Sequence, residues 1–169
     1  VMEINFLEFV TGSKTMKHSP YIFGGLGIFG FNPQAQYTDG TWYDLQALGT
    51  EGQASALNKT GKYGLNGISM PFGIGYRVSI GNNTSIAIET GFRPTSTDYL
   101  DDASGYYVDN VALAAEAGEV AAYFADRSFS DTDKTGYARA NNQTNDWYVF
   151  TGIHLYFSLT PKNERCSGF

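Results

Sequence analysis

Cysteine is almost missing from this sequence: one residue, Cys166, stands near its end, so no intrachain disulfide framework can hold the fold together. Long apolar runs are missing as well. No stretch of eighteen apolar residues occurs, which excludes a transmembrane helix. Basic residues are the minority, 11 Lys and Arg against 17 Asp and Glu, and the net charge of −6 argues against nucleic acid as the main partner. Charge of either sign is scarce at 17%, a composition poorly suited to disorder. No signal peptide is recognisable. Val1-Met2-Glu3 already reads as part of a strand, so the true N-terminus is expected upstream. Several chemical signatures are absent too: there is no G-x-S-x-G elbow and no EF-hand spacing, and no helix follows Gly24-Gly25-Leu26-Gly27 to make it a phosphate loop.

What is abundant is glycine (20), tyrosine (12) and phenylalanine (12). Glycine weakens helices and aromatics favour pleated surfaces, so the expected class is all-β, in one domain. Period-two alternation supports this. Over 68–80, Ile68, Met70, Phe72, Ile74, Tyr76, Val78 and Ile80 share one face, and Ser69, Gly73, Gly75, Arg77 and Ser79 the other. Pro71 cannot donate to a ladder, and a bulge there would reverse the parity of Ile68 and Met70, so the pattern is used from Phe72 onward. Gly81-Asn82-Asn83 makes a tight turn. Beyond it, over 84–93, Ile86, Ile88, Thr90 and Phe92 oppose Ser85, Ala87, Glu89, Gly91 and Arg93. The last strand, 147–159, sets Trp147, Val149, Thr151, Ile153, Leu155 and Phe157 against Tyr148, Phe150, Gly152, His154 and Tyr156. A further strand over 20–31 is apolar on both faces; Ile22, Leu26 and Ile28 are expected outward, Gly25 and Gly27 inward. Residues 2–10 read as the end of one more.

Two features favour a transmembrane barrel over a soluble sandwich. The strands run to about 10 to 13 residues, near the length a tilted membrane-crossing strand needs. Connections alternate between short (11–19 and 81–83) and long (38–62 and 95–144), as in outer-membrane barrels. Twelve of the seventeen acids fall in the two long loops, with five bases, while the short-turn side carries Lys14, Lys17, Lys162 and Arg165 against Glu164. Phe72, Ile74, Tyr76, Val78, Ile86, Ile88, Phe92, Val149, Ile153, Leu155 and Phe157 are accordingly expected to face lipid. Trp147, Tyr148, Tyr99, Trp42 and Tyr43 would form an aromatic girdle at one interface, with Tyr156 and Phe157 at the other. Within the long second loop, 108–127 is alanine-rich and expected to be helical, capped near Asp109 and interrupted at Gly118, with Val111, Val120 and Phe124 packing on the barrel mouth.

Candidate chemistry is sparse. Arg77, Glu89 and Arg93 form an inward charge cluster; a three-residue turn places Glu89 opposite Gly75 and diagonal to Arg77, where the two would partly neutralise each other. His154, Ser158 and Glu89 are the residue types of a lipid-modifying barrel hydrolase, but four positions along a strand span about 13 Å. Asp98, Asp101 and Asp102 offer oxygens to calcium without a recognised spacing. No catalytic, cofactor or metal residue is assigned.

The segments GTWYDLQALGTEGQ (40–53), FRPTSTDYLDDASGYYVD (92–109), ADRS (125–128) and NNQTNDWYVFTGIHLYFSL (141–159) together resemble the PorG-like family of outer-membrane β-barrels attached to the type IX secretion and gliding machinery. The resemblance covers nearly all of the chain from Pro20 onward. It implies an eight-stranded antiparallel up-and-down barrel in the bacterial outer membrane, with five strands here as its last five and 160–169 as a periplasmic tail. It also implies association with the periplasmic ring of the lipoprotein PorK and its partner PorN. Geometry then assigns docking to 11–19, 81–83 and 160–169, with Lys14, Lys17, Lys162 and Arg165 as contact residues. A lipid-A-modifying enzyme barrel and a soluble ligand-binding barrel are the competing expectations.

Overall fold

The turn at Gly81-Asn82-Asn83 closes as its length requires: the Ile80 N–H donates to the Thr84 carbonyl at 3.0 Å, and Gly75 stands opposite Glu89. Around this hairpin the computed structural model, which describes residues 1–128 and 132–159, has the following elements. In chain order they are β1 (Met2–Asn5), β2 (His18–Gly24), β3 (Gly27–Gly30), β4 (Gln34–Gln36), β5 (Trp42–Asp44), α1 (Leu45–Leu48), β6 (Asn66–Ser69), β7 (Phe72–Ser79), β8 (Thr84–Pro94), α2 (Asn110–Ala117), α3 (Glu119–Ala125) and β9 (Trp147–Phe157). The chain divides into a sheet unit (Val1–Gly27, Met70–Arg93 and the residues from Tyr148 on) and a loop unit (Ile28–Ser69 and Pro94–Trp147). No helix among the described residues is long and apolar enough to cross a membrane, which says nothing about strands.

The sheet unit is one five-stranded meander, β1-β2-β7-β8-β9. The first three pairings are antiparallel. β9 follows suit: Ser158 N–H bonds the Asn83 carbonyl at one end (2.8 Å), and the Thr90 and Thr151 hydroxyls meet further along (3.2 Å). β1 and β9 are its edges, so the described strands do not close a barrel.

Glycine decides how the inner face packs. Tyr21, Gly75 and Glu89 lie in one row across β2, β7 and β8, and Phe23, Gly73 and Gly91 in the next. A Cβ on Gly75 would stand 2.2 Å from the Tyr21 ring, and one on Gly73 would be 2.5 Å from that of Phe23. Each aromatic therefore lies over the bare backbone of its neighbour, and Tyr21 is only 1% exposed. The other face is apolar and open. Ile22, Phe72, Ile74, Tyr76, Ile88, Phe92, Val149, Ile153, Leu155 and Phe157 are all exposed, while Val78 and Ile86, paired near the short turn, are half-buried.

Two expected long strands are in fact divided. The segment 20–31 splits at Gly25-Leu26, and 68–80 splits at Met70-Pro71. The break is the proline's doing: β2 and β7 pair as far as Gly24 and Phe72, the Gly25 N–H takes the Pro71 carbonyl at 2.9 Å, and Pro71 has no N–H to continue the ladder. β3 and β6 go on as a separate two-stranded ribbon. β2 and β7 are thus 7 and 8 residues long, shorter than expected, whereas β8 and β9 have 11 each. Ile68 and Met70 keep the exposed parity, so no bulge reverses them.

In the loop unit, α2 begins as its sequence dictates. The Asp109 carboxylate accepts from the Val111 and Ala112 N–H groups (2.9 and 3.1 Å), and Gly118, at φ 92°, ends α2 and starts α3. Leu113, Ala121 and Ala125 form the core with Leu48, Leu57 and Val108 packed against it. Phe124 is buried among Tyr37, Tyr43 and Tyr123, but Val111 is 82% exposed, against expectation. The Asp109 cap fixes the phase of α2, and that phase turns Leu113 inward instead.

Gly75→Ala is expected to lower the stability of the folded sheet by about 1–3 kcal/mol through overpacking against Tyr21. Gly81→Ala, where the nearest atom is 3.8 Å away, is expected to change it little. Urea unfolding midpoints of the two variants check this.

Candidate functional site

The inner face of the sheet gathers the predicted charge cluster, with different partners from those expected. Arg77 does not pair with Glu89. Its guanidinium bonds Glu3 on β1 at 2.9 Å and lies over the rings of Phe9, Tyr21 and Tyr156, at 5.6, 4.9 and 4.6 Å. Glu3 and Tyr156 belong to the two edge strands, which in a flat sheet would stand about 19 Å apart. One side chain from the middle strand reaches both, so the sheet is curved around Arg77. Glu89 is occupied instead by the Tyr21 hydroxyl, which donates to it at 3.0 Å, with His154 Nε2 at 3.9 Å. Arg93 lies over Tyr148 and Phe150, both at 5.5 Å, and donates to the Tyr148 hydroxyl at 3.3 Å. His154 Nε2 makes no hydrogen bond.

At one end of this sheet the two short connections clasp each other. The Gly12 N–H bonds the Ser79 hydroxyl at 2.8 Å, and Ser79 N–H bonds the Lys17 carbonyl at 2.6 Å. Gly12 has φ 82°, and a Cβ there would meet the Asn82 carbonyl oxygen at 2.0 Å. Lys14 and Lys17 are exposed on this clasp. Lys162 and Arg165 lie outside the described residues, as does the rest of 160–169.

The loop unit contains a charged cluster that the sequence reading missed. Arg139 stands 3.5 Å from both the Glu51 and the Asp102 carboxylates, and donates to the Thr50 hydroxyl (2.8 Å) and to the carbonyls of Asp102 (2.6 Å) and Phe124 (3.0 Å). Glu51 and Asp102 are 1% and 0% exposed. Glu51 accepts the backbone N–H groups of Ser104 and Gly105, both at 2.9 Å; a side chain on Gly105 would obstruct this. Asp102, held in the left-handed region at φ 66°, accepts from the Thr50 and Tyr63 hydroxyls, the latter at 2.6 Å. The two long loops are thereby joined by buried charge. Nothing in the spacing of Glu51, Asp102 and Arg139 could have disclosed it, because they come together only through the folding of segments far apart in the chain.

Asp102, one of the acids with oxygens to offer calcium, is turned into the Arg139 cluster. Among the described residues no group of three His, Cys, Asp or Glu side chains is placed to hold a metal. The girdle is also reduced: Tyr99 stacks on Tyr63 at 4.3 Å, Tyr43 packs beside Tyr37, and Tyr156 points at Arg77. Trp42, Trp147 and Phe157 remain exposed.

Electrostatics within the loop unit follow burial. Desolvation, together with the bond to Asp102, pushes the Tyr63 phenol well above its ordinary range. Burial likewise raises the Asp146 carboxyl, with Asp101 and Asp98 adding to the shift. No family model, curated protein or solved structure matches the chain.

Arg139→Met leaves two buried carboxylates without their cation, and is expected to cost the loop unit about 3–5 kcal/mol. Limited proteolysis should cut 95–144 in the variant at protease levels that spare the parent. Because the folded Tyr63 pKa is raised, its contribution is intact below an unfolded pKa of about 10 and fades as pH rises above it. Tyrosinate absorbance should therefore show Tyr63 ionising only as the loop unit unfolds, and Tyr63→Phe should remove that alkaline step.

Proposed function

We propose that the chain is the membrane-crossing part of an outer-membrane β-barrel that anchors a periplasmic secretion ring of the PorK/PorN type. One observation carries the membrane part: polarity across the sheet is inverted relative to a water-soluble fold. Phe72, Ile74, Ile88, Val149, Ile153 and Leu155 are exposed, while Arg77, Glu89 and Arg93 occupy the opposite, curved face. An exposed apolar surface of this extent requires a cover, and lipid is the cover that also explains charge on the concave side. β8 and β9, at 11 residues, have the length a tilted strand needs to cross a bilayer. A bilayer tolerates no unpaired strand edge, so this reading requires β1 and β9 to be joined by further strands. The resemblance to PorG-like barrels supplies eight as the total.

The secretion part rests on that resemblance and on topology. The short connections stand together at one end of the sheet and present Lys14 and Lys17, and the long acidic connections leave from the other. In this reading the basic end is periplasmic and meets the ring, and the loop unit is extracellular.

Ile153→Arg is expected to cost about 2–4 kcal/mol, the penalty for arginine on a lipid face near mid-membrane. Loss of heat-modifiable electrophoretic mobility would report it, and an unaffected barrel would exclude lipid there. Reversing the charges at Lys14, Lys17, Lys162 and Arg165 is expected to abolish co-purification of the ring proteins while barrel assembly persists. Unchanged recovery would remove this docking surface.

A further inference from the structure

Beside the Arg139 cluster the loop unit opens a cleft of about 590 Å³. Its walls include Tyr99, Tyr106 and Tyr107; of its two acids, Glu51 is 1% exposed and so forms the floor, and Asp109 is exposed. Among the described residues no lysine, arginine or histidine lines it. Behind the floor, one guanidinium faces two buried carboxylates, Glu51 and Asp102, which leaves an excess of negative charge in a setting where water screens poorly. The two long loops add to it with twelve acids against five bases. Tyrosine faces attract cations, and the chain itself demonstrates this at Tyr107, whose ring has the Lys134 ammonium 5.4 Å from its centre. Tyr106 is 56% exposed, so its ring is open to an incoming group.

We propose that this cleft receives a lysine or arginine side chain of a partner polypeptide, seated against Tyr106 with its charge directed toward Asp109 and the Glu51 floor. The volume exceeds that of a single side chain and leaves room for flanking backbone, which favours a peptide over a small inorganic cation. The inference does not depend on where the sheet unit resides.

The test is titration of the purified full chain with fluorescently labelled tri-lysine amide, followed by anisotropy, at low and physiological salt. Saturable binding that weakens with salt is expected. Tyr106→Ala and Asp109→Asn should each weaken it about tenfold. Asparagine still caps α2, so Asp109→Asn removes charge without removing the helix start; circular dichroism of both variants verifies the fold. Glu119→Gln, which removes an exposed acid elsewhere in the unit, should leave affinity within twofold. Equal losses for Asp109→Asn and Glu119→Gln would reduce the effect to overall charge and overturn the proposal. So would undiminished binding in Tyr106→Ala, or preference for tri-glutamate or for a neutral trisaccharide such as maltotriose.

Discussion

An extended strand sends successive side chains to opposite faces, and most of this molecule follows from what glycine leaves empty on one of them. Without side chains at Gly73, Gly75 and Gly91, the rings of Tyr21 and Phe23 lie on neighbouring backbone where other residues would hold them off. Arg77 then spans a curved interior to both edge strands, and Glu89 finds its donor in Tyr21. The aliphatic rows are left on the convex side, uncovered by any other described part of their own unit.

The loop unit solves a different problem. Its aliphatic core is small, chiefly alanine and leucine, and burial of those side chains alone offers limited stabilisation. Cohesion comes also from polar groups withdrawn from water and mutually satisfied. Glu51 has backbone and amide donors, Asp102 has two hydroxyls, and Arg139 has three oxygen acceptors besides its carboxylates. Such clusters are costly to break and tolerate few substitutes, which favours one arrangement of the loops over many.

The sequence made the sheet legible where alternation was strict. From Phe72 to Phe92 the pattern of faces and the register across the Gly81 turn both emerged from counting by two, and α2 was legible through Asp109 and Gly118. Segment 20–31 was opaque because it is apolar on both faces, and alternation cannot reveal where a strand changes partners; Pro71, on the neighbouring strand, made that decision. Charge partners failed for a related reason. Register places Glu89 diagonal to Arg77, but side-chain reach across a curved interior lets Glu3, two strands away, compete and win. Arg139, Glu51 and Asp102 form a purely tertiary cluster, invisible to local pattern.

The span between the halves of that cluster has a consequence in time. Thr50 and Arg139, bonded in the finished structure, are separated by 89 positions. During synthesis the acidic half arrives first and must remain hydrated until its cation follows, since carboxylates buried alone are expensive. The long loops therefore mature last, after β7 and β8 have joined through a turn of three residues. A chain arrested before Arg139 would carry a formed hairpin together with loops still searching for their counter-ion.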